Sequence, residues 1–498
     1  MYNKTKSYFF IAASVLLLAV TGCKKGHFDI NSPNPNTPSS VPPKFVLSAA
    51  LNSTAQIRMG GNEQFANYWM GYWAVSGDYI PNAATLTYTL NTDFFSGNWD
   101  NSYITLNNFK YIADVSTDPS QVYYKSMAEI MSAFLYQRLV DLYNDIPYSE
   151  ALQAGTNNFP KYDQAQTVYN SLVDRLEAAV SAIKSADAGA SEDPGDYDIM
   201  FGGNMDMWVK FANTVKLKIL MRQTEMSGGD SYIQSHLSGM SSDDFLGEGE
   251  DASINPGYTN ASTSQQNPMW ADIGFTTSGS QTTNHQYYRA CTYGVDFYTN
   301  TNDPRASAFY APNSHGDIKG RDFGSTALEH NTEISAIGPG LLKAPTMDAI
   351  MLPAFESLFL QAEAVERDYM SGSSSDLFKA AVTESFRVVN VPDYANAAAD
   401  YYSQSDDQVN IDESSNKIKT IITQKWAACN TLDPVESWSD WRRLKIPADL
   451  PISVYPGTTA PHVPYRLLYP TSEFSYNTSN VNGEGSIDAI TSKVFWMP

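Results

Sequence analysis

Two stretches of the chain concentrate side chains that could recognise a polyhydroxylated molecule. The first carries Tyr68, Trp69, Tyr72, Trp73, Asp78 and Tyr79, and the second carries Asn267, Trp270, Asn284, Gln286, Tyr287, Tyr288 and Arg289. Sugar rings present apolar C–H faces that stack on exposed indole and phenol rings. Their hydroxyls need paired donors and acceptors of the kind that Asn, Asp, Gln and Arg supply. A competing reading is architectural: Trp69 and Trp73 stand at i,i+4 spacing and would share one buried stripe if that segment were helical.

Covalent chemistry leaves no comparable trace. The chain has no His-Glu-x-x-His, no Gly-x-Ser-x-Gly, no P-loop and no Gly-x-Gly-x-x-Gly unit. Glycoside hydrolysis needs only two carboxylates at the right separation. With 54 acidic residues, sequence alone does not exclude such a pair. Asp243, Asp244, Glu248, Glu250 and Asp251 cluster as hard oxygen ligands for calcium would, but an acidic loop is more simply a solvated surface, so no metal and no cofactor is expected. Beyond Cys23 the only cysteines are Cys291 and Cys429. They allow one disulfide or two buried thiols; Cys429 falls on a predicted helix face, which favours thiols, and no zinc spacing exists. A formal net charge of −22 opposes nucleic acid, whose binding requires phosphate neutralisation by Lys and Arg.

The N-terminus reads as a processing signal. Lys4 and Lys6 precede an uncharged apolar run from Tyr8 to Val20, and Thr21 and Gly22 lead into Cys23. The run is too short to favour a spanning helix. Leu18-Ala19-Val20-Thr21-Gly22-Cys23 resembles the bacterial lipobox, in which the Cys is lipidated and becomes the mature N-terminus. Residues 1–22 are thus expected to be a lipoprotein signal peptide. Residues 23–43 would be the lipidated Cys and an extended, proline-rich tether. Lys24 and Lys25 come before Asp29, which leaves open the membrane face.

Residues 44–498 are expected to form one large, mainly α-helical domain. Met127, Ile130, Met131, Phe134, Leu135, Leu139 and Leu142 recur at helical spacing over Tyr123 to Tyr143, with Pro147 as a stop. Val168, Leu172, Leu176, Val180 and Ile183 form a second stripe, with Asp163 placed as its cap. Further helices are expected near Met207 to Met226, Phe355 to Tyr369, Leu377 to Val389 and Ile418 to Cys429. Such helix hairpins suggest tetratricopeptide-like packing, without that repeat's strict consensus. Gly60 to Asn98 and Gly257 to Tyr310 read as long loops, the usual place for a binding site. Pro447 to Pro498 reads as irregular.

Several short motifs then coincide in order. They are Trp99-Asp100-Asn101-Ser102-Tyr103; Leu142-Tyr143-Asn144-Asp145-Ile146-Pro147-Tyr148; Trp208, Ala212, Asn213, Lys216 and Arg222; and Asp303-Pro304-Arg305. Phe359 to Ala364, Trp438-Ser439-Asp440-Trp441-Arg442-Arg443 and Arg466 to Glu473 complete the series. With this order, the chain resembles the SusD/RagB family of surface lipoproteins from Bacteroidota. Asn144 stands where the family usually has Gly, and Asn also tolerates the left-handed conformation. Most of these motifs read as architecture. Trp438 and Trp441 would be a buried pair, with Arg442 and Arg443 tying the C-terminal segment to a helix, and Glu363 a buried partner for such an arginine.

The resemblance implies a lipid-anchored outer-membrane protein at the cell surface. It would bind a nutrient without catalysis and pass it to a SusC-like TonB-dependent barrel, with the ligand site on loops outside the helical repeat. An oligosaccharide is the first expectation, because the candidate loops are aromatic and rich in amides. An oligopeptide, an interaction protein with no ligand of its own, and a secreted hydrolase are the alternatives.

Overall fold

Segments with helical apolar periodicity fold as helices in the computed structural model, which describes residues 41–498. The expectations for the signal segment, for Cys23 and for the tether as far as residue 40 concern residues outside that range. Pro43, assigned from sequence to the tether, is buried and opens the first long helix, α1 (Pro43–Met59). Proline suits that position, because the missing N–H has no intrahelical partner there. Next come α2 (Gly97–Val115), α3 (Val122–Tyr143), α4 (Ala165–Ser185) and α5 (Met205–Met221), each packed on the one before. After a long inserted region follow α6 (Ala354–Glu366), α7 (Ser374–Val388), α8 (Lys417–Cys429) and α9 (Pro434–Leu444). Helix α6 packs on α7, α8 and α5, and so joins the two halves. The architecture is mainly α, with tetratricopeptide-like helix hairpins stacked neighbour on neighbour.

Helix α3 is the axis. The predicted stripe is buried, but so is every residue from Ile130 to Tyr143, including Gln137, Arg138 and Asp141. A helix buried on all sides is ordinarily apolar all round, so these polar groups need partners from other elements. Asp141 accepts from Arg222 Nε at 3.1 Å and from Trp496 Nε1 at 3.0 Å. The Arg222 guanidinium also holds Glu436, which Lys218 approaches to 2.8 Å and Lys425 contacts as well. Lys425 reaches Asp440 at 3.0 Å, Asp440 pairs with Arg443 at 2.9 Å, and Arg443 grips Glu363. Arg58 pairs with Asp433 at 2.9 Å and with Glu63, which Arg138 also contacts. These ions connect α1, α3, α5, α6, α8 and α9.

The Tyr143-to-Pro147 turn does more than stop a helix. Asn144 takes φ +70°, and its side-chain oxygen accepts from Phe495 N at 2.6 Å. Asp145 accepts from Ala165 N at 2.7 Å and so supports the start of α4. Asp163 does not cap that helix as its position suggested. It accepts instead from the backbone of Tyr148 and Ser149, at 3.2 and 2.7 Å, which fixes the loop between the helices. The Arg466 region docks on the same turn: Leu467 N donates to Leu142 O at 2.8 Å, and Tyr469 OH to Asp145 O at 2.7 Å. Trp438 is buried and donates to Pro464 O at 2.8 Å, and Arg442 donates to Tyr465 O at 3.0 Å. Cys291 and Cys429 are free, buried thiols.

Burying ions costs free energy that their pairing must offset, and removing one partner leaves the other charge stranded. Glu436→Gln is therefore expected to cost about 3–5 kcal/mol in urea unfolding. Burial pushes the Glu363 carboxyl up, but the Arg443 guanidinium outweighs it and holds the carboxyl at about 2. A folded pKa below the unfolded one gives stability that is present above the unfolded value and lost as pH falls through the folded value. The urea midpoint should accordingly drop as pH is lowered from about 4.5 to about 2. Glu363→Gln should flatten that limb, and an unchanged slope would remove Glu363 from the account.

Candidate functional site

The two aromatic stretches, far apart in sequence, meet as a ladder. Trp73–Val75 pairs antiparallel with Tyr288–Ala290, with Trp73 opposite Ala290 and Val75 opposite Tyr288. A short helix, Gln64–Trp69, leads in, and Gly71 at φ +73° turns the chain into the strand. A second short helix, Thr283–Tyr287, capped by Thr282, delivers the partner strand.

This ladder and its neighbours bury much of the aromatic surface that the sequence offered for stacking. Trp69 is fully buried, stacks on Phe94 at 5.9 Å and donates to Thr85 O at 3.2 Å. Tyr72 donates to Trp426 O at 2.6 Å and stacks on Trp426. Trp73 stacks on Tyr288 at 4.6 Å and donates to Thr431 Oγ1 at 2.9 Å. A ring covered on both faces by protein has no face for a sugar, so Trp69, Tyr72, Trp73 and Tyr288 leave the contact surface. The helical-stripe alternative does not describe them either, because the helix ends at Trp69 and Trp73 opens a strand. Asn267 is also buried: it caps the short helix Pro268–Ile273 through Trp270 N at 3.1 Å and donates to Met347 O at 3.0 Å. Asn284 donates to Asp272 at 2.6 Å. Burial lifts Asp272 to about 6. Trp270 is half-buried against Phe275 at 5.2 Å.

A second group stays at the surface and converges. Tyr79 and Tyr287, both half-buried, meet edge to face at 5.8 Å. Tyr79 OH donates to Gln286 Oε1 at 2.7 Å, and Tyr287 OH accepts from Asn82 N at 2.9 Å. Asp78 pairs with His330 Nδ1 at 2.6 Å and accepts from Asn331 N at 2.8 Å. Asn331 in turn donates to Gln286 O at 3.0 Å. Its hydrogen bonds with Asn331 and His330 hold the Asp78 carboxyl below the usual carboxylate range, and Asp78 raises His330. Arg289 is buried and donates to His285 O and Tyr288 O, both at 2.8 Å; burial lowers its pKa to about 10. Among the described residues, Arg289 Nε and Asn331 Oδ1 have no hydrogen-bond partner. The cluster thus holds one unmet donor and one unmet acceptor.

A cavity of about 240 Å³ adjoins Tyr79, lined also by Ile80, Pro81, Arg321, Leu328 and Tyr455. Arg321 shapes one wall by donating to Ser325 O and Ala327 O, at 2.9 and 2.7 Å, and by pairing with Glu329 at 2.8 Å. Gly324, at φ +84°, admits the opposite wall, because a Cβ there would lie 2.7 Å from Tyr455 N. Ile80 is 92% exposed and Leu328 76% exposed, so the rim is apolar. Sequence reading passed over Ile80, Arg321, Leu328, His330, Asn331 and Tyr455. The one local signal was Ile80, an aliphatic residue between Tyr79 and Pro81 in a loop. Three of the five acidic residues that cluster in sequence as calcium ligands would have other partners: Glu250 holds Lys210 at 2.7 Å, Asp251 holds Arg387, and Asp244 caps the Ser241 turn.

The same fold recurs in solved structures. A chitin-binding protein aligns with a TM-score of 0.74 at 22% identity, covering 92% of this chain and 100% of its own. A SusD homolog from Bacteroides fragilis aligns at 0.74 and 20% identity, covering 92% and 99%. A chitin-binding SusD homolog from Flavobacterium johnsoniae aligns at 0.72 and 21% identity, covering 90% and 98%. None of the curated proteins matches the chain by sequence. The family match extends over residues 35–470, and its description is "Starch-binding associating with outer membrane": the chain belongs to the SusD-like family of outer-membrane-associated binding proteins.

Proposed function

We propose that the protein captures an oligosaccharide at the Tyr79–Tyr287 cluster and delivers it to a SusC-like TonB-dependent barrel, with lipidated Cys23 as its membrane anchor at the cell surface. The observation that carries this reading is the pair of half-buried tyrosines, of which Tyr79 lines a cavity, ringed by Asp78, Gln286, His330 and Asn331. Apolar ring faces with interleaved donors and acceptors match a sugar's alternation of C–H faces and hydroxyls. The family description names starch, and two of the similar structures are described as chitin-binding, which supports a glycan over other nutrients. The family description names binding, which supports a role in binding without turnover.

One feature favours a second reading. The exposed Ile80 and Leu328 at the rim would suit the apolar side chains of an oligopeptide. Calorimetry on the chain from residue 24 onward, with malto-oligosaccharides, chito-oligosaccharides and mixed oligopeptides, separates the two. Saccharide binding should weaken by about tenfold or more in Tyr79→Ala and in Tyr287→Ala, with circular dichroism unchanged. Binding confined to peptides would replace the glycan with a peptide. Saccharide binding untouched by either substitution would move the site elsewhere.

The His330–Asp78 pair gives an independent readout of the cluster. In proton NMR the His330 ring should titrate above its usual 6.5, and Asp78→Asn should return it to that value. The charged pair is present below the raised pKa and lost above it. If the pair orders the loop, saccharide affinity should fall as pH rises through that point, and Asp78→Asn should abolish this dependence.

A further inference from the structure

The largest features outside that cluster include a cavity of about 400 Å³ that shares no lining residue with the Tyr79 cavity. Its floor is the antiparallel pair Ala252–Ile254 and Ala349–Leu352. Alternation along these strands turns Ser253 and Ile350 toward the cavity, while Ala252, Ile254, Ala349 and Met351 are buried in the core. Met59, Met269, Met347, Leu341, Val388 and Leu432 supply further apolar surface. Methionine adapts to ligands of irregular shape.

The charged groups in the wall are unequally satisfied. Asp251 accepts from Ala354 N at 2.8 Å with one oxygen and holds Arg387 with the other. Asp348 accepts from Asn255 Nδ2 at 2.7 Å. Arg387 gives Nε to Glu384 at 2.7 Å and Nη2 to Asp251, which leaves Nη1 without an acceptor among the described residues. Lys343 donates to Val388 O, and it forms no ion pair within 4.0 Å among the described residues. Two of its three N–H donors remain free. The residue is exposed; burial of its ammonium lowers the pKa, and the nearby Asp251 and Asp348 act in the opposite sense.

We infer that this cavity is a second binding site, for a small amphiphilic carboxylate whose apolar body rests on the methionine-rich floor and whose carboxylate lies between Lys343 Nζ and Arg387 Nη1. The anion supplies an acceptor for the N–H groups left open on Lys343 Nζ and Arg387 Nη1. The floor supplies apolar contact worth about 25 cal/mol per Å² buried. A neutral molecule of the same shape would gain only the second term.

Octanoate and 1-octanol separate these terms on the chain from residue 24 onward, whose unit Pro43–Pro498 has its own core. Octanoate should bind at least about tenfold more tightly than octanol. With ¹³C-methyl methionine labelling, octanoate should shift the signals of Met59, Met269 and Met347. Lys343→Met, which keeps an apolar stem, should bring octanoate to within about twofold of octanol and leave octanol unchanged. Tyr79→Ala should leave octanoate binding intact, which keeps this test separate from the glycan proposal. Equal affinity for octanoate and octanol, an unaltered preference in Lys343→Met, or octanoate binding without those methionine shifts would each overturn the inference.

Discussion

Glu436 is approached by three cations at once, Arg222, Lys218 and Lys425, and all four groups are buried. The stacking of the helices depends on this arrangement, because the charges belong to α5, α8 and α9 and to the residue that ends α5. Each cation also serves a second acid: Arg222 serves Asp141 on α3, Lys218 serves Glu356 on α6, and Lys425 serves Asp440. Hydrophobic contact alone would let such helices slide or rotate at small cost. A buried ion that moves loses its partner and regains no water, so the network sets register as well as attraction. Its acids divide by environment. Glu436 and Glu363 are held ionised by their arginines, whereas burial beside Glu436 and Asp433 raises Glu356 despite Lys218. One oxygen of Glu356 has no hydrogen-bond partner among the described residues.

The loops inherit their order from that core. Trp73 reaches Thr431, Tyr72 reaches Trp426 and Ser437, and Asn67 accepts from Thr431 N at 3.1 Å, so the first aromatic stretch is fastened to α8, α9 and the turn between them. The ladder then fastens the second stretch to the first. A surface built this way keeps most of its rings as fixtures and presents a few. Tyr79 and Tyr287 are presented because they lie just beyond the strands, where the ladder has ended and the chain turns outward.

Most of the family motifs found in sequence turn out to hold distant segments together. Leu142 to Pro147 is bound by Leu467 and Tyr469, Glu363 by Arg443, and Asp303 by Arg305 at 2.6 Å within its own turn. Arg305 also lies over the rings of Phe386 and Tyr401 and donates to Gln424 at 2.9 Å. These residues are architectural, which is why such motifs identify the fold more surely than the ligand.

Helix content, the order of the motifs and the two aromatic stretches were legible in the sequence, because apolar periodicity and turn chemistry act over a few residues. Val168, Leu172 and Leu176 had to face a core, and Asn144 could end a helix, whatever lay across from them. Exposure was not legible. Trp73 and Tyr79 stand in the same aromatic stretch with similar neighbours, yet one is sealed against Tyr288 and Thr431 while the other borders a cavity. The same limit hid Gln137, Arg138 and Asp141, whose polarity suggests a solvated face and whose partners sit on other helices. It also hid Arg321, Leu328 and Lys343, which carry no local sign of a cavity. Local sequence determined the elements and their apolar faces. Which rings and charges remain free for a ligand was decided only by tertiary structure, because burial and pairing depend on groups brought together from hundreds of residues away.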